Sequence, residues 1–331
     1  MASSLGRRLG SPLLRCAAME AGEILARAQR RHIQLPERGV EVALLDWGGD
    51  GPPALLHHAN GFCKGLWGLV AEGLWDDYRV LAMDARGHGD TRFLPGREWD
   101  GQPFGWDAFA EDVVAVGDAL CRELAVPALA LAVGHSFGGT SVLGAAARRP
   151  ELFERIVLLD PVTPPPPELA GPERVEHVES MAERARKRRA DWPSREEARE
   201  WWAERDFFAT WQPGALDLYV QDGLRRRGDG QVELKCSPEV EAAVFSGSEL
   251  DLRTQAERAT PPCLWLWAEQ GDFPLEFHQT LAALMPAARF ETIAAGHLIP
   301  MERPDLVVEA IRRFAAGGQP EAPLVGAAEG S

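Results

Sequence analysis

One stretch, "LALAVGHSFGGTSVLGAAARR" from Leu129 to Arg149, constrains the fold of this chain more than any other. An apolar run leads into Gly134-His135-Ser136-Phe137-Gly138, and small residues follow at once. The run reads as a buried strand and the small-residue segment as a helix packed on it. Between them the chain must turn sharply at one serine. Glycines two places to either side meet the steric demand of that turn, because side chains there would collide. The turn lifts the Ser136 hydroxyl above the sheet edge. It also aims the N-terminus of the following helix, with its unbonded N–H groups, at the same point.

Further short apolar segments read as strands: "PALLHHAN", "YRVLAMDA", "RIVLLD", "PPCLWLWAEQGD" and "RFETIA". "HIQLPERGVEVALLDWG" reads as two strands joined by a turn at Glu37–Gly39. Helical segments lie between the strands. One, "WDAFAEDVVAVGDALCREL", sets Phe109, Val113, Val116 and Leu120 on a single face. Apolar strands alternating with helices predict a largely parallel sheet covered on both faces. The alternation stops at "PVTPPPPELAGPE", and from about Glu173 to Ala259 the chain is helical in pattern, charged and rich in tryptophan. The expected organisation is an N-terminal extension over 1–30, a core over 31–161 and 261–316, an inserted helical cap over 162–260, and a flexible tail over 317–331.

The formal net charge of −15 argues against nucleic acid and against anionic membrane surfaces as partners. No stretch has the length and apolarity of a membrane span. Cys16, Cys63, Cys121, Cys236 and Cys263 are scattered and odd in number, which supports neither a disulfide framework nor a zinc site and suits a reducing compartment. "MASSLGRRLGSPLLRCAAME" has the composition of an organellar transit peptide. A start at Met19 would look the same, so the expectation is a cytoplasmic protein, with a mitochondrial or other organellar location as the alternative.

Four motifs stand in a fixed order, "HHANGF", "DARGHGD", "GHSFGG" and "AGHLIP". Together they resemble the α/β-hydrolase superfamily, in particular its capped esterase and lactonase branches, over roughly Ile33 to Phe314. The resemblance implies an α/β-hydrolase fold with a mostly parallel eight-stranded sheet, helices on both faces and an inserted helical cap. It implies Ser136 as nucleophile and His297 as general base. It places the acid after the strand preceding the histidine, where Asp272 fits. Glu269 at that strand's end and Asp160 one strand earlier are the alternatives. The oxyanion donors implied are the backbone N–H groups of Phe62 and Phe137. Asn60 stands where the family usually carries histidine, which puts the anchoring of the Phe62 loop in question but not its main-chain donor. Asp84 and Arg86 are expected to be structural, and His88 to order a loop.

A serine nucleophile argues against epoxide hydrolases and haloalkane dehalogenases on this fold, which attack with aspartate. The chain also has only two tyrosines, Tyr78 and Tyr219, and the former opens a core strand. The expected activity is hydrolysis of small hydrophobic carboxylic esters or lactones through an acyl-enzyme, with no metal or organic cofactor. Thioester or C–C bond hydrolysis by the same triad is the alternative within this class. A non-catalytic receptor for small ligands is the alternative from another class. In the cap, Trp192, Trp201, Trp202, Phe207, Phe208 and Trp211 are expected mainly as core. The run "RARKRRA", Arg184 to Ala190, is expected as a solvated helix face. Oligomeric state is left open.

Overall fold

Residues 19–164, 172–247 and 250–317 are described by the computed structural model. Most of the N-terminal extension (1–18), part of the proline-rich break (165–171) and the tail from 318 lie outside the described residues. The chain opens with a short helix, α1 (Ala21–Arg27), followed by β1 (Gln29–Leu35) and β2 (Val40–Asp46). Next come β3 (Pro53–His57), α2 (Gly68–Leu74), β4 (Arg79–Met83) and the two-residue β5 (Arg92–Phe93). They are followed by α3 (Asp107–Leu124), β6 (Leu131–His135), α4 (Phe137–Arg148) and β7 (Ile156–Leu159). After an intervening segment the pattern resumes with β11 (Cys263–Ala268), α10 (Leu275–Ala282), β12 (Ala288–Ile293), α11 (Ile299–Glu302) and α12 (Pro304–Ala315).

The strands form one sheet in the order β1-β2-β4-β3-β6-β7-β11-β12, with β5 paired to β2. The β1–β2 and β2–β4 pairs are antiparallel. From β4 to β12 every pair is parallel. Successive residues of each strand face opposite layers. On β3, Leu55 joins the layer of Phe109, Val113, Val116 and Leu120 from α3, while Ala54 and Leu56 join the layer under α1, α2 and α12. Both faces are therefore buried, which is why the strands read as continuous apolar runs. Strand order reverses around β3, whose neighbours are β4 on one side and β6 on the other. The loops leaving β3 and β6 diverge at that switch point and open a crevice at the strands' C-terminal ends.

Two expectations change. Residues 21–27 fall within the expected N-terminal extension, yet they form α1, which buries Ile24 and Leu25, and the Ile24 carbonyl accepts the Trp47 indole N–H at 2.9 Å. The intervening segment is also not purely helical. It contains α5 (Pro172–Arg186), β8 (Asp191–Trp192), α6 (Arg195–Ala203), α7 (Ala215–Gly223), β9 (Leu224–Arg226), β10 (Val232–Leu234), α8 (Pro238–Phe245) and α9 (Leu252–Arg258). The strands β8, β10 and β9 make a small antiparallel sheet. Strands of two or three residues are too short to show a period of two, so only contacts reveal them. The helices start where capping chemistry allows: Ser194 accepts the Glu197 N–H, Ser237 the Val240 N–H and Asp251 the Thr254 N–H.

Trp192, Trp202, Trp211 and Tyr219 from this segment are buried together with Phe62 and Leu66 from the loop after β3. Phe207 is the exception among the rings, at 55% exposed. Among the described residues no helix is long and apolar enough to cross a membrane.

Leu56 is fully buried in the central strand β3. Leu56→Ala should cost about 2–5 kcal/mol of stability, read as a lower urea midpoint with unchanged slope, whereas the exposed Phe207→Ala should stay within about 0.5 kcal/mol of the parent.

Candidate active site

Ser136 sits between β6 and α4 with φ 54 and ψ −123. Such a backbone costs on the order of 1–3 kcal/mol and persists only where its surroundings enforce it. Here a Cβ on Gly134 would lie 2.3 Å from the Gly138 carbonyl oxygen, and one on Gly138 would lie 2.4 Å from the His57 carbonyl oxygen. The two glycines let the end of β6, the start of α4 and the end of β3 touch through bare backbone. The Phe137 ring packs edge-on against Trp106 and Phe109, at centroid distances of 5.1 and 4.8 Å, and so fixes the first turn of α4 against α3.

His297 lies on the loop between β12 and α11. Its Nε2 is 2.9 Å from Ser136 Oγ, and its Nδ1 is 2.6 Å from Asp160 Oδ2. A carboxylate only accepts, so the Nδ1 proton faces Asp160 and the Nε2 lone pair faces the serine O–H. Asp160 directly follows β7 with φ 41 and is fully buried, and its other oxygen accepts the Ala268 N–H at 3.2 Å. The His297 ring is held edge-on by Phe273 at 4.9 Å, and its carbonyl accepts the His135 Nε2–H at 2.8 Å.

The carboxylate beside the histidine is that of Asp160, one of the two alternatives, and Asp272, the preferred expectation, is not brought there. β7 and β11 are parallel neighbours with Leu159 opposite Leu266, so Asp160 emerges beside Trp267 and its carboxylate reaches the N–H of Ala268, one residue on. The chain leaving β11 turns back at once, the Gly271 N–H bonding to the Ala268 carbonyl, and this places glycine backbone against the Asp160 carboxylate. Asp272 follows that turn and is exposed. Glu269 accepts the Thr292 hydroxyl at 2.9 Å instead of reaching His297.

Phe137 presents its N–H at the first position of α4. The Phe62 N–H lies 3.3 Å from the Ala59 carbonyl, a long turn bond. Around it, Asn60 donates through Nδ2 to the Glu241 carbonyl at 3.0 Å, and the Gly61 N–H donates to His88 Nε2 at 3.1 Å. The Tyr219 hydroxyl donates to the Gly61 carbonyl at 3.3 Å. Arg188 pairs with Glu241 at 2.6 Å and also donates to the Tyr219 hydroxyl. Asparagine in place of histidine therefore leaves the loop anchored, but from α7, α8 and His88. Tyr219, Arg188 and Glu241 carried no sequence signal of this role. Arg188 belongs to the run expected to be solvated; Arg184, Arg186 and Lys187 of that run are exposed, while Arg188 is half-buried. Arg86 clamps Asp112 with bonds of 2.7 and 2.6 Å, in keeping with a structural role. Among the described residues no group of three His, Cys, Asp or Glu side chains is placed to hold a metal ion.

A family profile described as "Alpha/beta hydrolase family" matches residues 54–310. The chain belongs to that family. This alpha/beta hydrolase is 23% identical over 333 residues to the sn-1-specific diacylglycerol lipase ABHD11 of Mus musculus, with 96% of this chain and 95% of that protein covered. It is 35% identical over 129 residues to the bifunctional esterase/perhydrolase DCH of Acinetobacter calcoaceticus. That match spans only 38% of this chain and 43% of the relative's length. Among solved structures, E-2-(acetamidomethylene)succinate hydrolase superposes with a TM-score of 0.73 at 20% identity, covering 87% of this chain and 99% of the other. A thermophilic esterase from Thermogutta terrifontis gives 0.63 at 26% identity, covering 88% and 99%.

Five buried histidines, His57, His58, His88, His135 and His278, lie around this site, and burial lowers the pKa of each. Burial pushes His57 and His278 from 6.5 to about 4 and His135 to about 3, the last aided by the nearby His297. Between those values and 6.5 the unfolded chain binds more protons than the folded one, so stability rises with pH across the window and is lost as pH falls through it. Urea midpoints should drop steadily from about pH 6.5 towards pH 4, and less steeply in His135→Gln.

Proposed function

We propose that this protein is a serine hydrolase that cleaves carboxylic esters, lactones included, through an acyl-enzyme on Ser136. The single observation that carries the reading is the continuous chain from Ser136 Oγ through His297 to Asp160, with bonds of 2.9 and 2.6 Å. In this mechanism Ser136 attacks the acyl carbonyl while His297 takes its proton at Nε2. Asp160 holds the imidazole tautomer and stabilises the imidazolium. His297 then protonates the departing alcohol, and water repeats the sequence to release the acid. The N–H of Phe137, reinforced by the helix end, receives the developing oxyanion together with the N–H of Phe62. The long 3.3 Å bond from Phe62 to Ala59 is weak enough to be exchanged for that stronger acceptor. The segment between β7 and β11 acts as a cap that steadies the Phe62 loop through Tyr219 and the Glu241 carbonyl. Its aromatic cluster favours a small hydrophobic acyl or alcohol group. The esterase and lipase names of the relatives support ester chemistry.

A fluorophosphonate probe should label the protein, and Ser136→Ala should abolish both labelling and turnover of short p-nitrophenyl esters and simple lactones. Absence of labelling together with absence of turnover across that panel would sink the proposal. Asp160→Asn should lower kcat by about 10³–10⁴-fold, with Asp272→Asn close to the parent. The opposite order would move the acid to Asp272.

A further inference from the structure

A cleft of about 390 Å³ lies away from the triad, between the β1–β2 edge of the main sheet and the part of the intervening segment carrying α6, α7 and β9. Its volume falls within the range of small-molecule sites, roughly 300–1,000 Å³. Its lining is out of character for a chain of net charge −15. Arg30, Arg31, Lys64, Arg92, Arg195 and Arg225 border it together with Lys235, against one acid, Asp90.

Much of this charge is matched within the protein. Lys64 Nζ is buried and reaches Asp84, Asp90 and Asp222 at 2.5, 2.8 and 3.3 Å. Lys235 meets Asp90 at 2.7 Å, and Arg30 meets Asp222 at 2.9 Å. Three cations thus face three carboxylates, and the one acid in the lining is already bonded from several sides, which holds its carboxyl far below the usual range. Arg31 is taken by Asp46 and Glu123, and Arg225 by Glu233 at 2.7 Å.

Two guanidiniums of the lining have no ion pair among the described residues. Among the described residues Arg195 bonds to the backbone carbonyls of Val220 at 3.3 Å and Leu224 at 2.9 Å and makes no ion pair. Arg92 has no ion pair among the described residues. Glu41, its partner across β2 and β5, instead accepts the Gln34 amide at 3.2 Å. The core supplies Arg92 and the intervening segment supplies Arg195, so the excess positive charge converges from both walls of the cleft. Guanidinium forks suit oxyanions bearing several oxygens, and phosphoryl groups above all.

We infer that this cleft binds a small phosphorylated molecule through its phosphoryl oxyanion. The site is separate from Ser136 and stands whether or not the ester reading holds. An occupant would bridge the sheet edge and the segment that anchors the Phe62 loop.

The test is isothermal titration and thermal unfolding of the full chain with inorganic phosphate, pyrophosphate and glycerol 3-phosphate, with ionic strength held constant by sodium chloride. Saturable binding of at least one probe is expected. Arg92→Ser combined with Arg195→Ser should weaken it roughly tenfold or more through loss of charge-assisted bonds, and Arg92→Ser alone, on an exposed side chain, should weaken it in part. Arg258→Ser on α9, exposed and outside the cleft lining, should leave it unchanged. Equal binding of free phosphate and the ester identifies the free ion as sufficient, whereas binding of the ester alone identifies a phosphorylated metabolite. No saturable binding by any probe, or binding undiminished in the double variant, overturns the inference. Fluorophosphonate labelling of Ser136 reports the ester reading independently.

Discussion

The contact on which this molecule most depends is made by backbone alone. At the C-terminal ends of β3 and β6 the chain approaches itself so closely that Gly134 and Gly138 admit no Cβ. That approach holds Ser136 in a conformation it would otherwise leave. Everything else in the site is arranged around it: α4 starts where the turn ends, its N–H groups face the hydroxyl, and the loops after β7 and β12 bring Asp160 and His297 to the same side.

The second constraint is the parallel register of β7 and β11. It sets Asp160 one residue short of Ala268, whose N–H fixes one carboxylate oxygen and leaves the other for His297. A tight turn after β11 then occupies the space where an acid on that loop would have to stand. The position of the acid is therefore a property of the sheet, not of the local sequence around any one aspartate. Likewise the Phe62 loop is held by groups far away in the chain, Tyr219 and Glu241 among them, and its stiffness depends on how the intervening segment packs.

Legibility in the sequence followed the range of the interactions involved. The elbow at Ser136 and the strands of the sheet were readable because their signals are local: a glycine spacing, an apolar run, a period. His297 was readable from its motif. Asp160, Asp272 and Glu269 all end or follow apolar strands, and nothing local separates them. Arg188 sat in a basic run that looks like any solvated helix face, yet its guanidinium turns inward to Glu241 and Tyr219. The small sheet of β8, β9 and β10 leaves no mark in the sequence because strands this short have no period.

By itself the sequence determined that an α/β chain would present one strained serine above a parallel sheet, with a histidine arriving late in the chain. These features rest on steric and hydrophobic patterns that neighbouring residues impose on one another. Only the tertiary structure decided which carboxylate meets that histidine, what steadies the Phe62 loop, and that unmatched arginines from distant segments face one cleft. Those outcomes depend on distances between groups remote in sequence, and such distances exist only once the sheet has set its register and the intervening segment has packed.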